Sequence, residues 1–263
     1  MAKNTGTALV TGGTSGIGYE LAKLIAKDGY NIILVARTEG DLNVVKKEIE
    51  TAYGVAVTVI PKDLFVPGAA EELYNEVKAR GQTVNLLVND AAQGQFGPFL
   101  ESPITRDVEI IQLNIVALTV LTKLFLRDMV ARNEGRVLQL ASVVSKMPGP
   151  FLAVYSATKA YVYNLTQGLI NELQDTNITI TALLPGMTDT DFFRKADGLD
   201  TKGYQEEDLA DPADVAKDGY EALMSGESKI VSGFKNKMQM AMSNITPDET
   251  LAENMRKLNK EKE

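Results

Sequence analysis

Three tyrosines in this sequence are each followed four residues later by a lysine, a spacing that could support proton-transfer chemistry. On a helix, residues four apart lie on one face, where an ammonium can approach a phenol. The ammonium lowers the tyrosine pKa, whereas burial raises it. The pairs are Tyr19 with Lys23, Tyr74 with Lys78, and Tyr155 with Lys159.

Histidine and cysteine are absent from the 263 residues. General acid or base chemistry must therefore come from Tyr, Lys, Asp or Glu, and neither disulfides nor a bound metal are expected. The composition, 44% hydrophobic and 24% charged, is that of an ordinary globular protein. A net charge of −8 disfavours nucleic acid and anionic membranes as partners.

The start of the chain, MAKNTGTALV, lacks the apolar core of a signal peptide. No apolar run approaches the ~18 residues that cross a bilayer. We therefore expect a cytoplasmic protein with no membrane span.

The elements that must position these side chains form an alternating pattern of short β-branched runs and amphipathic stretches. This pattern predicts an α/β fold, a Rossmann-type doubly wound seven-stranded parallel sheet with helices on both faces. No repeat or linker interrupts it, so residues 1–246 are expected to form one domain with a lid at about 187–205. The charged tail, 247–263, is interpreted as frayed, with a solvated or partner-bound helix as the alternative. The expected strands are Ala8–Thr11, Asn31–Ala36, Val55–Ile60, Asn85–Asn89, Val137–Ala141, Thr179–Leu184 and Lys229–Val231.

Two long helices are expected in the second half of the pattern. Ser102 can cap the first, which would begin at Pro103 and continue to about Met129. The second should run from about Tyr155 to Leu173.

Position in the fold selects one tyrosine–lysine pair. Only Tyr155 and Lys159 open a helix beyond the carboxyl end of a mid-sheet strand, the side on which open α/β sheets bind ligands. That strand is followed by Ser142, whose hydroxyl could polarise the same carbonyl group as the tyrosine.

A glycine-rich turn connects the first strand directly to the first helix. Glycines let the backbone approach a pyrophosphate, and the free amides and dipole of the helix start favour its charge. The turn therefore predicts a dinucleotide site. Its expected cofactor-binding residues are Gly12, Thr14, Ser15, Gly16, Ile17 and Gly18.

The second strand ends in an arginine where dinucleotide-binding folds select between cofactors, ~20 residues after the glycine turn. The Arg37 guanidinium can hold the 2′-phosphate of NADP(H) in bidentate fashion, so NADP(H) is expected in preference to NAD(H). A solvated loop charge at Arg37 and an NAD-dependent enzyme are the alternatives. After the third strand, Asp63 and Leu64 lie where an adenine contact is possible.

Together these features resemble the short-chain dehydrogenase/reductase family over residues 6–233. Where that family usually has Asn-Asn-Ala-Gly, this chain has Asn89-Asp90-Ala91-Ala92. The matching motifs, in the family's order, are Thr11-Gly-x-x-x-Gly-Ile-Gly18, Asn89-Asp-Ala-Ala92, Asn114, Ser142, Tyr155-x-x-x-Lys159, and Pro185-Gly186 with Thr188.

The resemblance implies a catalytic tetrad of Asn114, Ser142, Tyr155 and Lys159. Tyr155 would protonate the carbonyl oxygen during reduction, and Ser142 would hold that oxygen. Lys159 would bind the nicotinamide ribose and lower the tyrosine pKa. Asn114 would position a water between Lys159 and solvent, with a satisfied structural amide as the alternative. Further cofactor residues implied by the resemblance are Asn89, Ala91, Pro185, Gly186 and Thr188.

The substrate side is expected to be largely apolar, suited to a hydrophobic ketone, aldehyde or 3-oxoacyl compound. The resemblance also implies a homodimer or homotetramer formed through the two long helices. A non-catalytic dinucleotide-binding redox sensor of the same fold is the alternative. The expected lining is Gln93, Phe96, Val144, Lys146, Met147 and Phe151, with a lid from Met187 to Tyr204 that includes Phe192 and Phe193.

Overall fold

Seven parallel strands form one sheet across residues 6–262, the part of the chain that the computed structural model describes. The strands are Thr7–Thr11 (β1), Asn31–Ala36 (β2), Val57–Pro61 (β3), Val84–Asn89 (β4), Gly135–Leu140 (β5), Ile178–Leu184 (β6) and Lys229–Val231 (β7). Their order is β3-β2-β1-β4-β5-β6-β7, so the chain winds outward on both sides of β1 and β4. This confirms the predicted doubly wound α/β fold. Residues 1–5 and 263, the ends of the predicted domain and tail, lie outside the described range.

Helices cover both faces of this sheet. They are Gly16–Lys27 (α1), Glu39–Tyr53 (α2), Ala69–Ala79 (α3), Ile104–Ile111 (α4), Leu118–Arg132 (α5), Ala153–Glu172 (α6), Phe192–Lys195 (α7), Lys202–Glu206 (α8), Pro212–Ser225 (α9), Phe234–Ser243 (α10) and Asp248–Asn259 (α11). Apolar residues of α1, α2 and α9 form the core on one face. Those of α3 and α5 form the core on the other.

The first long helix differs from its prediction at its start and in its middle. It begins at Ile104, and the Ser102 hydroxyl bonds the Asp107 carboxylate at 2.9 Å, so Ser102 is not its cap. A π-helical turn over Gln112–Ala117 joins α4 to α5. Such turns often mark functional sites, and this one contains the predicted tetrad residue Asn114.

The other boundaries move by one or two residues. The helix with Tyr155 begins at Ala153, and β3 begins at Val57 where Val55 was expected. Tyr155 therefore lies within the first turn of α6. These differences do not change the predicted ligand side of the sheet, because β1, β4 and β5 are neighbours and their carboxyl ends lie at the same edge.

One helical stretch among the described residues, Ile104–Arg132, is long and apolar enough to cross a bilayer by length and composition alone. The sequence expectation overlooked it because polar residues interrupt its apolar run. Part of its apolar surface belongs to the protein core, since Leu121, Phe125 and Met129 are buried against the sheet. The absence of a membrane span stays a prediction.

The charge-rich segment near the end of the chain is folded as a helix over Asp248–Asn259. Its Leu251 and Met255 are buried in a cluster with Val144 and Met147. The interpretation of this segment as a frayed tail is therefore wrong. Leu251, Met255 and Leu258 follow the i, i+4, i+7 spacing of a packed helix face, which the surrounding charges obscured.

Candidate active site

A cleft of about 920 Å³ runs along the carboxyl edge of the sheet, from the glycine turn to the start of α6. Most of the side chains predicted to bind a cofactor meet there, although they come from distant parts of the sequence. The predicted residues that line it are Gly12, Thr14, Ser15, Gly16, Ile17, Arg37, Asp63, Leu64, Ala91, Ser142, Tyr155, Lys159, Pro185, Gly186 and Thr188.

The glycine turn forms one end of the cleft. Gly12 and Gly16 have φ angles of 73° and 57°, in the left-handed region that favours glycine. Gly18 does not line the cleft. A side chain at this position is excluded because its Cβ atom would collide with Oδ2 of Asp90. Because α1 begins at Gly16 against the cleft, its amino-terminal dipole favours an anion there. The cradle therefore fits the pyrophosphate of a dinucleotide.

Arg37 lies at the far side of this cradle, after β2. Its guanidinium carbon is 5.4 Å from the centroid of the Phe65 ring, a cation–π contact that restrains the side chain. Asp63 accepts a hydrogen bond from the Phe65 amide at 3.0 Å, which fixes the turn after β3. Phe65 was not predicted, and its position directly after the predicted pair Asp63 and Leu64 was the only signal for it.

Asn89 does not reach the cleft. Its Nδ2 donates to Thr122 and to Gln139, both at 3.0 Å, in a buried network beneath the sheet. The prediction of Asn89 as a cofactor residue is therefore not matched by its position, because the alternating directions of strand side chains turn it into the core. The following residues, Asp90 and Ala91, line the cleft instead.

Tyr155 and Lys159 lie on one face of α6, as their spacing predicted. The Lys159 Nζ is 5.6 Å from the centroid of the Tyr155 ring and donates to the Leu140 carbonyl at 2.6 Å. Burial lowers the pKa of Lys159 to about 8, against the opposing charge of Asp90. The ammonium thus lies at the base of the cleft, between β5 and α6.

Ser142 and Tyr155 line the same part of the cleft. Burial raises the pKa of Tyr155, and this outweighs the lowering effect of the neighbouring Ser142 hydroxyl, while the charge of Asp90 raises it further. Tyr155 therefore holds its proton at neutral pH. The expectation that burial raises this pKa is met, whereas Lys159 is not among the groups that lower it.

The two remaining tyrosine–lysine pairs bind carboxylates on the protein surface. The Tyr19 hydroxyl donates to Glu48. Tyr74 and Lys78 both bind Asp128, the lysine at 2.8 Å. These contacts give both pairs a structural partner outside the cleft, in agreement with the selection of Tyr155 and Lys159.

Asn114 is 1% exposed and lies in the π-helical turn, behind the cleft. Its Oδ1 accepts from the Gln93 amide at 3.0 Å, and its Nδ2 donates to the Gln93 carbonyl at 2.8 Å. The same Nδ2 donates to Thr158 of α6 at 3.0 Å. The amide therefore joins the loop after β4 to the catalytic helix, and its role in positioning a water stays a prediction.

Aromatic side chains cover Tyr155 at the substrate end. The Phe192 ring centroid is 4.8 Å from that of Tyr155, and Phe193 stacks on Phe96 at 5.8 Å. Tyr204 contacts Phe193 at 5.0 Å. This cluster (Phe96, Phe192, Phe193 and Tyr204) gives the predicted lid an apolar inner surface over Tyr155, and such a surface can exclude water from a site.

Two residues predicted to line the substrate side lie elsewhere. Lys146 is exposed, with its Nζ 4.9 Å from the centroid of the Tyr163 ring. Phe151 has a φ of 60° and packs against Arg256, whose guanidinium carbon is 5.2 Å from its ring centroid. The remaining predicted lining residues, Gln93, Phe96, Val144 and Met147, do line the cleft.

The C-terminal helix completes the substrate end, which the sequence did not predict. Met255, Leu258 and Asn259 of α11 line the cleft. The Asn259 side chain donates to the Pro150 carbonyl at 2.9 Å, and the Lys202 amide donates to the Lys260 carbonyl at 3.0 Å. These bonds connect α11 to the loop before α6 and to α8 of the lid.

The sequence model of the short chain dehydrogenase family matches residues 6–198. The chain is 32% identical over 189 residues to the very-long-chain 3-oxoacyl-CoA reductase of Mus musculus, an alignment that covers 70% of this chain and 59% of that protein. The chain spans about three fifths of the length of the curated relatives it matches.

Two solved structures share this fold over most of both chains. A short-chain dehydrogenase from Sphingobium yanoikuyae in complex with NADPH has a TM-score of 0.81 and 26% identity, with coverage of 91% of this chain and 94% of that one. The bulky-bulky ketone specific alcohol dehydrogenase from Comamonas testosteroni has a TM-score of 0.78 and 25% identity, with coverage of 92% and 94%.

Proposed function

This chain belongs to the short-chain dehydrogenase family and is an oxidoreductase of that family, and from this premise we propose that it is an NADP(H)-dependent carbonyl reductase. The observation that supports this most directly is the meeting of Ser142, Tyr155 and Lys159 at one end of a cleft whose other end holds the glycine turn and Arg37. One elongated site thus offers a phosphate cradle and a proton donor together.

Arg37 supports the preference for NADP(H) over NAD(H). Its guanidinium lines the cleft beyond the glycine turn and offers a planar fork of donors to a 2′-phosphate. The Sphingobium yanoikuyae relative is in complex with NADPH. When bound, a nicotinamide cofactor supplies the hydride chemistry, and Gly186 and Thr188 lie where they could contact its nicotinamide end.

The protein's own contribution to reduction is a positioned proton. Tyr155 keeps its proton because burial raises its pKa, so it can donate to a carbonyl oxygen that gains negative charge. Ser142 lines the cleft beside the same phenol and could hold that oxygen. Lys159 places an ammonium 5.6 Å from the centroid of the phenol ring, and this charge would favour the tyrosinate left after proton transfer.

We propose a hydrophobic carbonyl compound as substrate, either a bulky ketone or a 3-oxoacyl compound. The support is the apolar surface formed by Phe96, Phe192, Phe193, Met147 and Met255 around the phenol. One relative is a very-long-chain 3-oxoacyl-CoA reductase and another is specific for bulky-bulky ketones. A substrate of either class would bury its apolar groups against these side chains.

We further propose a homodimer or homotetramer that assembles through α4, α5 and α6. Ile104, Val108, Ile111 and Val116 are exposed along the first helical stretch, and Tyr161 is exposed on α6. Covering such an apolar face with a second copy would remove it from water. A cytoplasmic location, the expectation from the sequence, is also proposed.

The proposed function is tested by NADPH oxidation against hydrophobic ketones, aldehydes and 3-oxoacyl thioesters, with NADH for comparison. Tyr155→Phe removes the proton donor and preserves the ring, so it should abolish turnover while NADPH still binds. Near-normal turnover in this variant would refute the assignment of Tyr155. NADPH binding without turnover of any compound by the unmodified protein would favour the redox sensor.

A further inference from the structure

Asp90 is a partly buried acid in the cofactor cleft that the proposed mechanism does not use. It follows β4 and lines the cleft between the glycine turn and Lys159. Its Oδ2 lies so close to the turn that a Cβ atom on Gly12 would be 2.8 Å away. A Cβ atom on Gly18 would collide with the same oxygen, and the Asp90 amide donates to the Thr11 hydroxyl at 3.1 Å. Both main chain and side chain of Asp90 are therefore held in place.

These contacts put a carboxylate at the amino end of α1, where the free amides and dipole favour an anion. The phosphates of a dinucleotide would use the same end of the helix. An ionised Asp90 and a bound pyrophosphate would therefore repel each other.

The groups that face Asp90 come from three elements. The glycine turn and α1 contribute backbone amides, and α6 contributes Lys159, whose charge favours the ionised carboxylate. The Tyr155 phenol of α6 is also within electrostatic reach, because the charge of Asp90 raises its pKa. Burial opposes ionisation more strongly than these groups favour it, and the pKa of Asp90 is raised to about 7.

We propose that Asp90 is a positioning residue that couples cofactor binding to proton uptake, so that the cleft accepts the anionic cofactor with Asp90 protonated. This inference rests on the proposed function, because it requires a dinucleotide in this cleft. Where the family usually has asparagine, the side-chain amide has nearly the same shape as the carboxylate and does not titrate. The acid in this chain therefore adds pH dependence to a site whose shape an amide would preserve.

The coupling is tested with NADH, whose pyrophosphate keeps its charge near neutral pH, whereas the 2′-phosphate of NADPH titrates with a pKa of about 6. NADH affinity is measured from about pH 6 to about pH 8 for the unmodified protein and for Asp90→Asn. The ratio of the two NADH dissociation constants, unmodified protein over variant, is compared at the two ends of this range. It should be about tenfold larger at about pH 8 than at about pH 6. Asp90 also raises the pKa of Lys159, so the lysine should lose its charge at lower pH in the variant. This would weaken binding by the variant at about pH 8, so it cannot produce the expected difference.

Asp41→Asn is the matched control. Asp41 also lines the cleft but is exposed, so its loss should change NADH affinity by a factor that does not vary with pH. Calorimetry of the unmodified protein in two buffers of different ionisation enthalpy gives a measurement that requires no variant. It should show net proton uptake on NADH binding near neutral pH.

Parallel pH profiles for the unmodified protein and Asp90→Asn would overturn the proposal, as would binding without proton uptake. A constant loss of affinity in the variant would assign Asp90 a purely structural role. Failure of the unmodified protein to bind either NADH or NADPH would contradict the proposed function itself, so the two failures are distinguishable.

Discussion

The Phe192 ring lies against the ring of Tyr155, with centroids 4.8 Å apart and planes inclined by 49°. Phe192 belongs to the short helix α7 of the predicted lid, so one residue of that lid covers Tyr155, the proposed proton donor, directly. A Cβ atom on Gly94 would lie 2.9 Å from the same phenylalanine ring. The absence of a side chain at Gly94 therefore allows the lid to approach the active site this closely.

Phe192→Ala is expected to raise KM for a hydrophobic ketone by roughly tenfold, because a buried aromatic contact is worth about 1.5–3 kcal/mol. Phe192→Leu should restore most of the affinity. Steady-state kinetics of both variants measure the effect. Phe99→Ala, which removes an aromatic ring that is 59% exposed and away from the cleft, is the control. An unchanged KM in Phe192→Ala would show that the substrate does not contact this ring.

Arg37→Asp should reverse the cofactor preference. Losing a charge-assisted contact costs about 1.5–3 kcal/mol, so kcat/KM for NADPH should fall roughly ten- to a hundredfold, while that for NADH changes little or rises. Lys46→Ser, which removes a cation on α2 that pairs with Glu50, should leave the ratio of the two values unchanged. A preserved NADPH preference in Arg37→Asp would favour the solvated-charge interpretation.

The sequence predicted the sheet and the meeting of Tyr155 and Lys159 in the cleft because both depend on local patterns. The Tyr155 and Lys159 spacing is a property of one helix, and the strands have continuous apolar runs. Asp90 and Phe65 were missed because their importance arises from contacts across the cleft, with Gly18 and Arg37. The same limit applies to α11, whose packing depends on a surface formed by residues about a hundred positions earlier.

Asn114→Ala should lower stability as well as activity. It leaves the Gln93 amide and carbonyl without their partner in a buried setting, at a cost of about 1–3 kcal/mol each. The expected fall in Tm is roughly 2–4 °C per kcal/mol for a domain of this size. The fall in Tm is measured by calorimetry of this variant. The control is Asn164→Ala, which removes an exposed amide of α6. Equal Tm values would show that the Gln93 groups find other partners.

Met255→Ser should loosen the lid through α11. The residue is buried against Val144 and Met147, and truncating a buried methionine costs about 2–5 kcal/mol. Hydrogen exchange should therefore quicken in α11 and in residues 198–206, which α11 contacts through the Lys202 amide. Glu253→Ser, on the exposed face of the same helix, should leave both segments protected. Faster exchange confined to α11 would mean that the lid is held independently.

Asp90→Asn should stabilise the protein increasingly as pH rises. The pKa of Asp90 is raised in the folded protein from 3.8 to about 7, so its contribution to stability is fully present below 3.8 and is lost as pH rises toward 7. Asparagine is neutral at every pH in this range, so the variant does not lose stability through residue 90 as pH rises. The Tm difference, variant minus unmodified protein, should therefore grow between about pH 5 and about pH 7 and then level off. Asp41→Asn, at an exposed position in the same cleft, should give a difference that is constant over this interval. A constant difference for Asp90→Asn as well would mean that the carboxyl is ionised in the folded protein throughout, since only a folded-state pKa above the unfolded value produces the slope.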